Sequence, residues 1–292
     1  SDMMSDTEKV IPPNRMWENP PYLRSAPSGR IMGEFPSTRL PDEILHRDNP
    51  IRTLVVAGGN PATALADRAR VSEALGQLDL LVVLDSRMSE TAEQADYVIP
   101  AKLAYERDDM TTYADNWFSR NFAHFAPAAL RAPGGMLEDW EIFWELACRM
   151  GTPLPFKAGP YGVPRDWLPD AIDLDTSGPR PSSEDLFRMI CSGSRADFDR
   201  IKNNPSGLIV AEAGIVRKAE EDDGAPLDIC PDDVQRENTA LANEVVVSNE
   251  YGYRLTTRRS NHVINSAFKN GARVRRRFNG APVHMNPQDM LK

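Results

Sequence analysis

The residues best suited to chemistry in this sequence follow two short apolar runs. Gly58-Gly59-Asn60-Pro61 ends the run at residues 53–57, and Asp85 ends the run at residues 80–84. Two glycines after a strand let the backbone approach a ligand, and the N-terminus of a following helix offers N–H groups to a phosphate. Because ligands of open α/β sheets bind beyond the carboxyl ends of the strands, the pattern predicts a nucleotide-like anion here. A tight turn without a ligand is the alternative for the glycines.

Three acidic or hydroxyl side chains accompany this turn. Asp85 could accept hydrogen bonds from a ribose or from the N–H edge of a base such as guanine, or it could cap the next turn. Thr91 and Asp96 are further candidates for the same site, although an N-cap and a turn acid account for both.

A second candidate site is a basic segment near the C-terminus. Between Glu250 and Asp289 the sequence has eight Lys or Arg residues and no acidic residue, inside a chain of net charge −9. In an acidic protein such a strip favours a discrete anion such as pyrophosphate over nucleic acid. Residues 260–266 add neutral hydrogen-bonding side chains next to Arg258, which suits a polar heterocycle that carries a phosphate. A solvated basic face is the alternative.

The elements that position these residues follow from the hydrophobic pattern. Runs at residues 53–57, 80–84 and 97–100 are short and apolar, as in buried parallel strands. Asn60 as N-cap and Pro61 at the first position predict one helix that carries Val71, Ala74 and Leu75 on one face, with Gly76 near its end. A short helix is expected over residues 90–95. The alternation predicts an α/β fold, a parallel-sheet Rossmann-like domain with helices on both faces.

Further helices and strands are predicted outside this core. Residues 183–191 have the pattern of a short capped helix, and residues 244–247 and 253–257 the pattern of strands. Residues 139–150 predict an amphipathic helix that packs back on the sheet through Trp140, Phe143, Trp144 and Ala147.

Length and composition limit the classes of protein. A chain of 292 residues with 24 prolines predicts about two domains with long connections. We expect an extended Pro-rich lead-in over residues 1–49, the α/β domain over 50–152, a long connection with short helices over 153–243, and a strand-rich segment over 244–292. The three cysteines and four histidines have no metal-site spacing. No apolar run is long enough for a membrane segment, so we expect a cytoplasmic protein. The net charge of −9 argues against nucleic-acid binding as its main role.

Three segments together carry a family resemblance. The first joins the Gly-Gly-Asn-Pro turn, the strand that ends in Asp85 and the Glu-Thr-Ala…Ala-Asp-x-Val-Ile-Pro motif at residues 90–100; the others are residues 139–147 and 255–289. They resemble the large subunits of molybdopterin-dependent oxidoreductases of the dimethyl-sulfoxide-reductase and formate-dehydrogenase superfamily. The resemblance implies the third domain and the first strands of an incomplete C-terminal β-barrel that binds the dinucleotide, which would start at residue 244.

The resemblance implies a bis-molybdopterin guanine dinucleotide cofactor with molybdenum. The turn glycines and Asn60 would approach the phosphate or ribose, Asp85 would read guanine or ribose, and the polar residues of the basic strip would face the pterin. The cofactor-binding candidates are Gly58, Gly59, Asn60, Pro61, Asp85, Thr91, Asp96, Arg258, His262, Asn265 and Ser266.

The resemblance also implies that these residues are an internal piece of a larger enzyme with two-electron chemistry, formate oxidation being one candidate. No catalytic residue or metal ligand is expected in the chain, which alone would be inactive. Molybdenum and any iron–sulfur cluster would be held by regions outside it, and its partners would be the remaining domains or a partner chain, with an electron-transfer subunit. The alternatives are a non-catalytic structural subunit of a respiratory complex and a generic nucleotide-binding α/β module.

Overall fold

The computed structural model describes residues 16–31, 33–111, 120–156, 172–192, 194, 196–211, 232–244, 252–253, 255–257, 271–277 and 282–291. Short 3₁₀ helices lie at Met16–Glu18, Ser37–Arg39, Ala92–Gln94 and Ala104–Glu106. The α-helices are α1 Leu40–Ile44, α2 Pro61–Ala64, α3 Arg68–Leu75, α4 Asp139–Met150, α5 Ser183–Cys191, α6 Phe198–Lys202, α7 Asp232–Asn243 and α8 Ala272–Arg277. The strands are β1 Thr53–Ala57, β2 Leu80–Leu84, β3 Tyr97–Ile99, β4 Asp109–Met110, β5 Asn121–Ala123, β6 Phe125–Ala126, β7 Leu154–Phe156, β8 Ile172–Leu174 and β9 Leu208–Ala211.

A parallel three-stranded sheet in the order β1-β2-β3 confirms the predicted α/β class. The strands coincide with the three apolar runs, except that β3 ends one residue early, before Pro100. Proline has no N–H group to donate to a ladder, which explains this end. The other six strands of the described residues form three antiparallel pairs, β4 with β6, β5 with β9 and β7 with β8.

One face of the parallel sheet forms the main core. Val56 and Val83 point to this face and pack in one buried cluster with Val71 of α3 and Ile44 of α1. The opposite face carries the register row of Val55, Val82 and Tyr97. Val55 is 39% exposed and Tyr97 is 65% exposed. The prediction that helices cover both faces of the sheet is therefore wrong at these two side chains.

Two short helices replace the single helix predicted after Pro61. The backbone turns extended at Leu65, which ends α2, and Asp67 then adopts a left-handed conformation with φ of 56°. The carboxylate of Asp67 accepts a hydrogen bond from the N–H of Arg70 at 3.2 Å and so caps α3. The predicted single helix was therefore wrong, because an aspartate inside the pattern acts as a second N-cap.

Residues 40–44 correct the prediction of an entirely extended lead-in, because they form α1, which packs on the sheet's core. Asp42 of α1 accepts hydrogen bonds from Arg39 at 3.1 Å and from Arg70 of α3 at 2.6 Å. These two guanidinium groups, Arg39 first and then Arg70, lower the pKa of the Asp42 carboxyl. The lead-in is thus joined to α3 by an ion pair as well as by apolar contacts.

Helix α4 begins and ends where the sequence predicts it, but part of its predicted contact face was wrong. Gly151 follows it in the left-handed conformation, with φ of 63°, as is common after helices. Ile142, Trp144 and Ala147 are buried, whereas Phe143 is 39% exposed. Phe143 instead shares an exposed stripe with Leu146 and Met150, three and seven residues later, which are 38% and 70% exposed.

Within the described ranges, helix α4 does not contribute to the core on the α1–α3 face of the sheet, and its packing on the opposite face stays a prediction. Among the described residues, the cluster over the sheet contains no residue of α4. The Cys148 thiol instead donates a hydrogen bond to the carbonyl of Thr176 at 3.2 Å, which ties α4 to the segment before α5.

A second buried cluster lies around β4, β6, α5 and α6. Phe125 and Phe198 meet edge to face with ring centroids 5.2 Å apart, and Cys191 lies against Met110. Burial raises the pKa of the Cys191 thiol to about 11. Helix α5 begins after Ser182, whose hydroxyl accepts a hydrogen bond from the N–H of Asp185, so the predicted capped helix is confirmed.

The chain divides into two compact units, residues 1–227 and 228–292. In the described part of the second unit the regular elements are the helices α7 and α8, and no closed barrel is formed. Tyr253 and residues 255–257 are not in a strand, which corrects the prediction for them; residues 245–251 lie outside the described ranges. No helix in the described ranges has both the length and the apolar composition needed to cross a bilayer.

Candidate functional site

The carboxyl edge of the parallel sheet brings the glycine turn and Asp85 together. The N–H of Gly58 donates to the carbonyl of Leu84 at 2.9 Å, so the turn after β1 lies directly beside the residue that follows β2. The N–H of Asp85 in turn donates to Ile99 at 3.3 Å, at the end of β3. Gly58, Gly59 and Asp85 therefore share the edge of the sheet where open α/β folds bind ligands.

The glycine turn is open on its outer side. Gly58 has φ of +63°, and a Cβ built there would meet nothing within 4 Å. A Cβ on Gly59 would be 3.5 Å from Val56 Cγ1, which is ordinary van der Waals contact. Gly58 is therefore needed for the backbone conformation and not for lack of space. The open backbone fits the approach of a ligand group at this turn.

The start of α2 is not the anion site that the sequence suggested. Pro61 has no N–H group, the N–H of Ala62 donates to Thr91 Oγ1 at 3.1 Å, and the N–H of Thr63 donates to the carbonyl of Asn60 at 3.1 Å. Because these groups already have partners inside the protein, they are not available to a phosphate. The predicted use of this helix N-terminus was wrong.

The side chain of Asn60 is engaged with the loop before the 3₁₀ helix Ala92–Gln94. Its Oδ1 accepts hydrogen bonds from Thr91 Oγ1 at 2.8 Å and from the Thr91 N–H at 3.2 Å, and its Nδ2 donates to Glu90 Oε2 at 2.7 Å. Thr91 is 0% exposed. Asn60 is the N-cap residue of α2 by position, but its side chain makes no bond to α2. The hydroxyl of Thr91, 29 residues after Ala62, accepts the hydrogen bond from the first turn of α2 in place of the Asn60 side chain.

Glu90 was not among the candidates from the sequence. Its partner Asn60 lies 30 residues away, so no local sequence motif predicts the contact. The available signal was the Glu-Thr pair within the motif at residues 90–100, which was used only for the resemblance.

One carboxylate oxygen of Asp85 is used within the protein. Its Oδ1 accepts a hydrogen bond from the Arg87 N–H at 3.1 Å, which is the turn cap considered as the alternative. Among the described residues, no group donates to Oδ2. Asp85 thus caps the turn with one oxygen, and the other oxygen of this half-buried side chain has no protein donor within the described ranges.

Asp96 lies at the other end of the sheet. Its Oδ2 accepts a hydrogen bond from the N–H of Leu81 at 2.7 Å, near the start of β2. At about 3.3 Å per residue, the four-residue separation of Leu81 from Asp85 corresponds to about 13 Å. Asp96 therefore orders the amino end of β2, and the structure does not bring it to the glycine turn.

The four candidates in the basic strip, Arg258, His262, Asn265 and Ser266, lie outside the described residues. Beyond them, α8 carries four arginines in the described segment 271–277, namely Arg273, Arg275, Arg276 and Arg277. The cationic character predicted for this part of the chain thus includes one short helix.

A buried charged cluster lies at the start of α4. Glu138 and Glu141 are buried carboxylates; Lys102 Nζ is 3.3 Å from the first and 3.6 Å from the second, and Arg180 is 2.9 Å from Glu141. Cations on two other segments thus compensate the burial of these carboxylates. The cluster joins the segment after β3, α4 and the segment before α5. In the described ranges, no three His, Cys, Asp or Glu side chains are grouped to hold a metal ion.

Comparison with known proteins finds a matching family and several similar proteins. The family described as "Molybdopterin oxidoreductase" matches residues 28–149. The F420-dependent formate dehydrogenase 2 subunit alpha of Methanococcus maripaludis is 37% identical over 111 residues, which is 38% of this chain and 16% of that protein. Formate dehydrogenase H of Escherichia coli is 30% identical over 120 residues, 41% of this chain and 16% of that protein.

The similar proteins also include reductases and solved structures. The trimethylamine-N-oxide reductase of Haemophilus influenzae is 27% identical over 158 residues, 50% of this chain and 19% of that protein. The structure of acetylene hydratase from Pelobacter acetylenicus matches 41% of this chain and 16% of that chain, with 25% identity and a TM-score of 0.37. The matched region is thus under a fifth of the length of each of these relatives.

Proposed function

Residues 28–149 belong to the molybdopterin oxidoreductase superfamily, and on this premise we propose that the chain binds the guanine-nucleotide end of a molybdopterin guanine dinucleotide. The observation that carries the proposal is the position of the open Gly58–Gly59 turn beside Asp85 at the carboxyl edge of the parallel sheet. The backbone of the turn would approach the ribose or diphosphate, and Asp85 Oδ2 would accept hydrogen bonds from the N–H edge of guanine.

The parent enzyme would catalyse two-electron oxidation or reduction, with formate as the proposed substrate. This rests on the formate dehydrogenase names among the relatives. When bound, a molybdenum cofactor supplies the redox chemistry, while the residues of this chain bind and orient its nucleotide. The molybdenum ligand, the second dinucleotide and any iron–sulfur cluster would belong to other regions of the enzyme, so the chain alone would be inactive.

The finer features of the fold are part of the same proposal. The parallel sheet would be one part of a Rossmann-like domain, and residues 244–292 would start a barrel completed by other regions. Arg258, His262, Asn265 and Ser266 would face the pterin, as the resemblance implies. The chain would pair with the remaining domains of the enzyme or with a partner chain, and an electron-transfer subunit would be a further partner. The enzyme would be cytoplasmic. Pro61 and Thr91 would support the turn, and Asp96 is left out of the ligand contacts because its carboxylate holds the N–H of Leu81.

Calorimetric titration with guanosine diphosphate and inosine diphosphate tests the role of Asp85. Inosine lacks the 2-amino group of guanine, so loss of one hydrogen bond to a charged carboxylate should weaken binding to the wild-type chain by about tenfold. Asp85→Asn can keep the cap on Arg87 with its amide oxygen, but it places an amide NH₂ towards the N–H edge of guanine. We expect this variant to lose most of the preference for guanosine diphosphate.

Asp96→Asn provides the matched control, because it makes the same substitution at the opposite end of the sheet. It should bind both nucleotides as the wild type does. An equal loss of affinity for both nucleotides in Asp85→Asn would assign Asp85 to the ribose instead of the base. The absence of any nucleotide binding by the wild-type chain would refute the proposed function.

A non-catalytic structural subunit is the second candidate, and one observation favours it. The N–H groups at the start of α2 are bonded to Thr91 and to the carbonyl of Asn60, so this common phosphate-binding feature is closed. A structural subunit that has lost the cofactor would bind neither nucleotide, and the titration above therefore separates the two candidates.

A further inference from the structure

The side-chain amide of Asn60 is oriented by hydrogen bonds of opposite polarity. Its oxygen faces two donors, the hydroxyl and the N–H of Thr91, at 2.8 and 3.2 Å. The amide nitrogen must therefore face the other way, where Glu90 Oε2 accepts its hydrogen bond at 2.7 Å. A carboxylate at position 90 thus completes a bonding pattern that only one orientation of the amide satisfies.

This amide adjoins the turn proposed to contact the nucleotide. Gly58 is held by the bond from its N–H to Leu84, and Asn60, two residues later, is held by Glu90 and Thr91. The backbone of Gly58 and Gly59 therefore spans two anchored points. Because glycine has wide conformational freedom, anchors at both ends restrict the turn more than its own residues can.

We propose that Glu90 is a positioning residue of the nucleotide site, which holds the Gly58–Gly59 turn in its binding conformation through the amide of Asn60. This inference rests on the proposed function. It also changes the role given to Asn60 by the resemblance, because the side-chain amide is used within the protein and the approach to a phosphate or ribose is left to the backbone of the turn.

A reversal of the donor and the acceptor tests this role. Asn60→Asp keeps an oxygen for Thr91 but places a second carboxylate against Glu90, and we expect the affinity for guanosine diphosphate to fall by about tenfold. Glu90→Gln keeps an acceptor oxygen for Asn60 and should change affinity by less than about threefold. In the double variant Asn60→Asp with Glu90→Gln, the glutamine amide can donate to the new carboxylate, and affinity should return to within about threefold of the wild type.

The measurement is calorimetric titration of the 292-residue chain with guanosine diphosphate, at a temperature where circular dichroism shows each variant to be folded. Glu93→Gln is the matched control, because Glu93 is exposed in the neighbouring 3₁₀ helix and the substitution removes the same charge. It should leave the affinity unchanged. A purely structural role would alter the free energy of unfolding in Asn60→Asp but would leave nucleotide affinity of the folded protein as in the wild type.

The outcomes separate the two proposals. If the wild-type chain binds no guanosine diphosphate, the proposed function fails and the positioning role falls with it. If the wild type binds but Asn60→Asp binds equally well, or if the double variant stays as weak as the single one, the positioning role alone is wrong. Recovery in the double variant together with loss in Asn60→Asp supports it.

Discussion

The hydroxyl of Thr91 allows the energetic role of the loop contact to be measured. Thr91→Val replaces the hydroxyl by a methyl group of similar size, so the shape of the buried side chain is kept. The variant loses the bond from Oγ1 to Asn60 Oδ1 at 2.8 Å and the bond from the Ala62 N–H to Oγ1 at 3.1 Å. Asn60 Oδ1 keeps a donor in the Thr91 N–H, whereas the buried N–H of Ala62 loses its partner.

The expected cost follows from these contacts. Loss of the bond to Asn60 should cost about 1 kcal/mol, and the stranded N–H of Ala62 about 2 kcal/mol more. The added methyl group returns up to about 0.8 kcal/mol by its burial. We therefore expect Thr91→Val to lower the free energy of unfolding by about 2 kcal/mol.

Thr91→Ser separates the contribution of the Thr91 hydroxyl from that of its methyl group. It keeps the hydroxyl and removes one buried methyl group, which should cost about 1 kcal/mol. Urea unfolding followed by circular dichroism at 222 nm gives both values from the midpoints, provided that the slopes agree with the wild type. Thr91→Val should be the less stable of the two. If Thr91→Val equals or exceeds the wild type while Thr91→Ser is weaker, Thr91 only fills space and the network has no energetic role.

Three further predictions test single features of the structure. Gly58→Ala should lower the free energy of unfolding by about 1 kcal/mol because φ is +63°, whereas Gly59→Ala should stay within about 0.5 kcal/mol; equal urea midpoints would contradict the geometry of the turn. Asp42→Asn should cost about 0.5–1 kcal/mol at pH 7. The pKa of Asp42 in the folded protein is lowered from 3.8 by Arg39 and Arg70. The difference in stability between wild type and Asp42→Asn should therefore persist above pH 3.8 and disappear as the pH falls through the pKa of the folded protein, which urea midpoints across that pH range would detect. Burial raises the pKa of the Cys191 thiol to about 11, so iodoacetamide at pH 8 should leave it unmodified in the folded protein and label it in urea; rapid labelling of the folded protein would show that the thiol is accessible.

The local elements of the first unit could largely be predicted, because their signals are short in sequence. The apolar runs predicted β1, β2 and β3, the last with one residue too many, and the amphipathic pattern predicted both ends of α4. The errors arose where a local signal had two meanings. Asp67 starts a helix inside a pattern that predicts one continuous helix, and Phe143 lies on the exposed stripe of α4 with Leu146 and Met150.

The candidate site likewise has one part that the local sequence predicts and one part that depends on contacts between distant segments. Sequence alone determined that Gly58, Gly59 and Asp85 follow parallel strands, and parallel pairing then places them at one edge, since the carboxyl ends of such strands coincide. Only the tertiary structure decided which polar groups remain for a ligand. The N–H of Ala62 is taken by Thr91, and the amide of Asn60 by Glu90, through hydrogen bonds that span about thirty residues. A hydrogen bond between distant segments depends on how the loops pack, and no spacing along the chain records it.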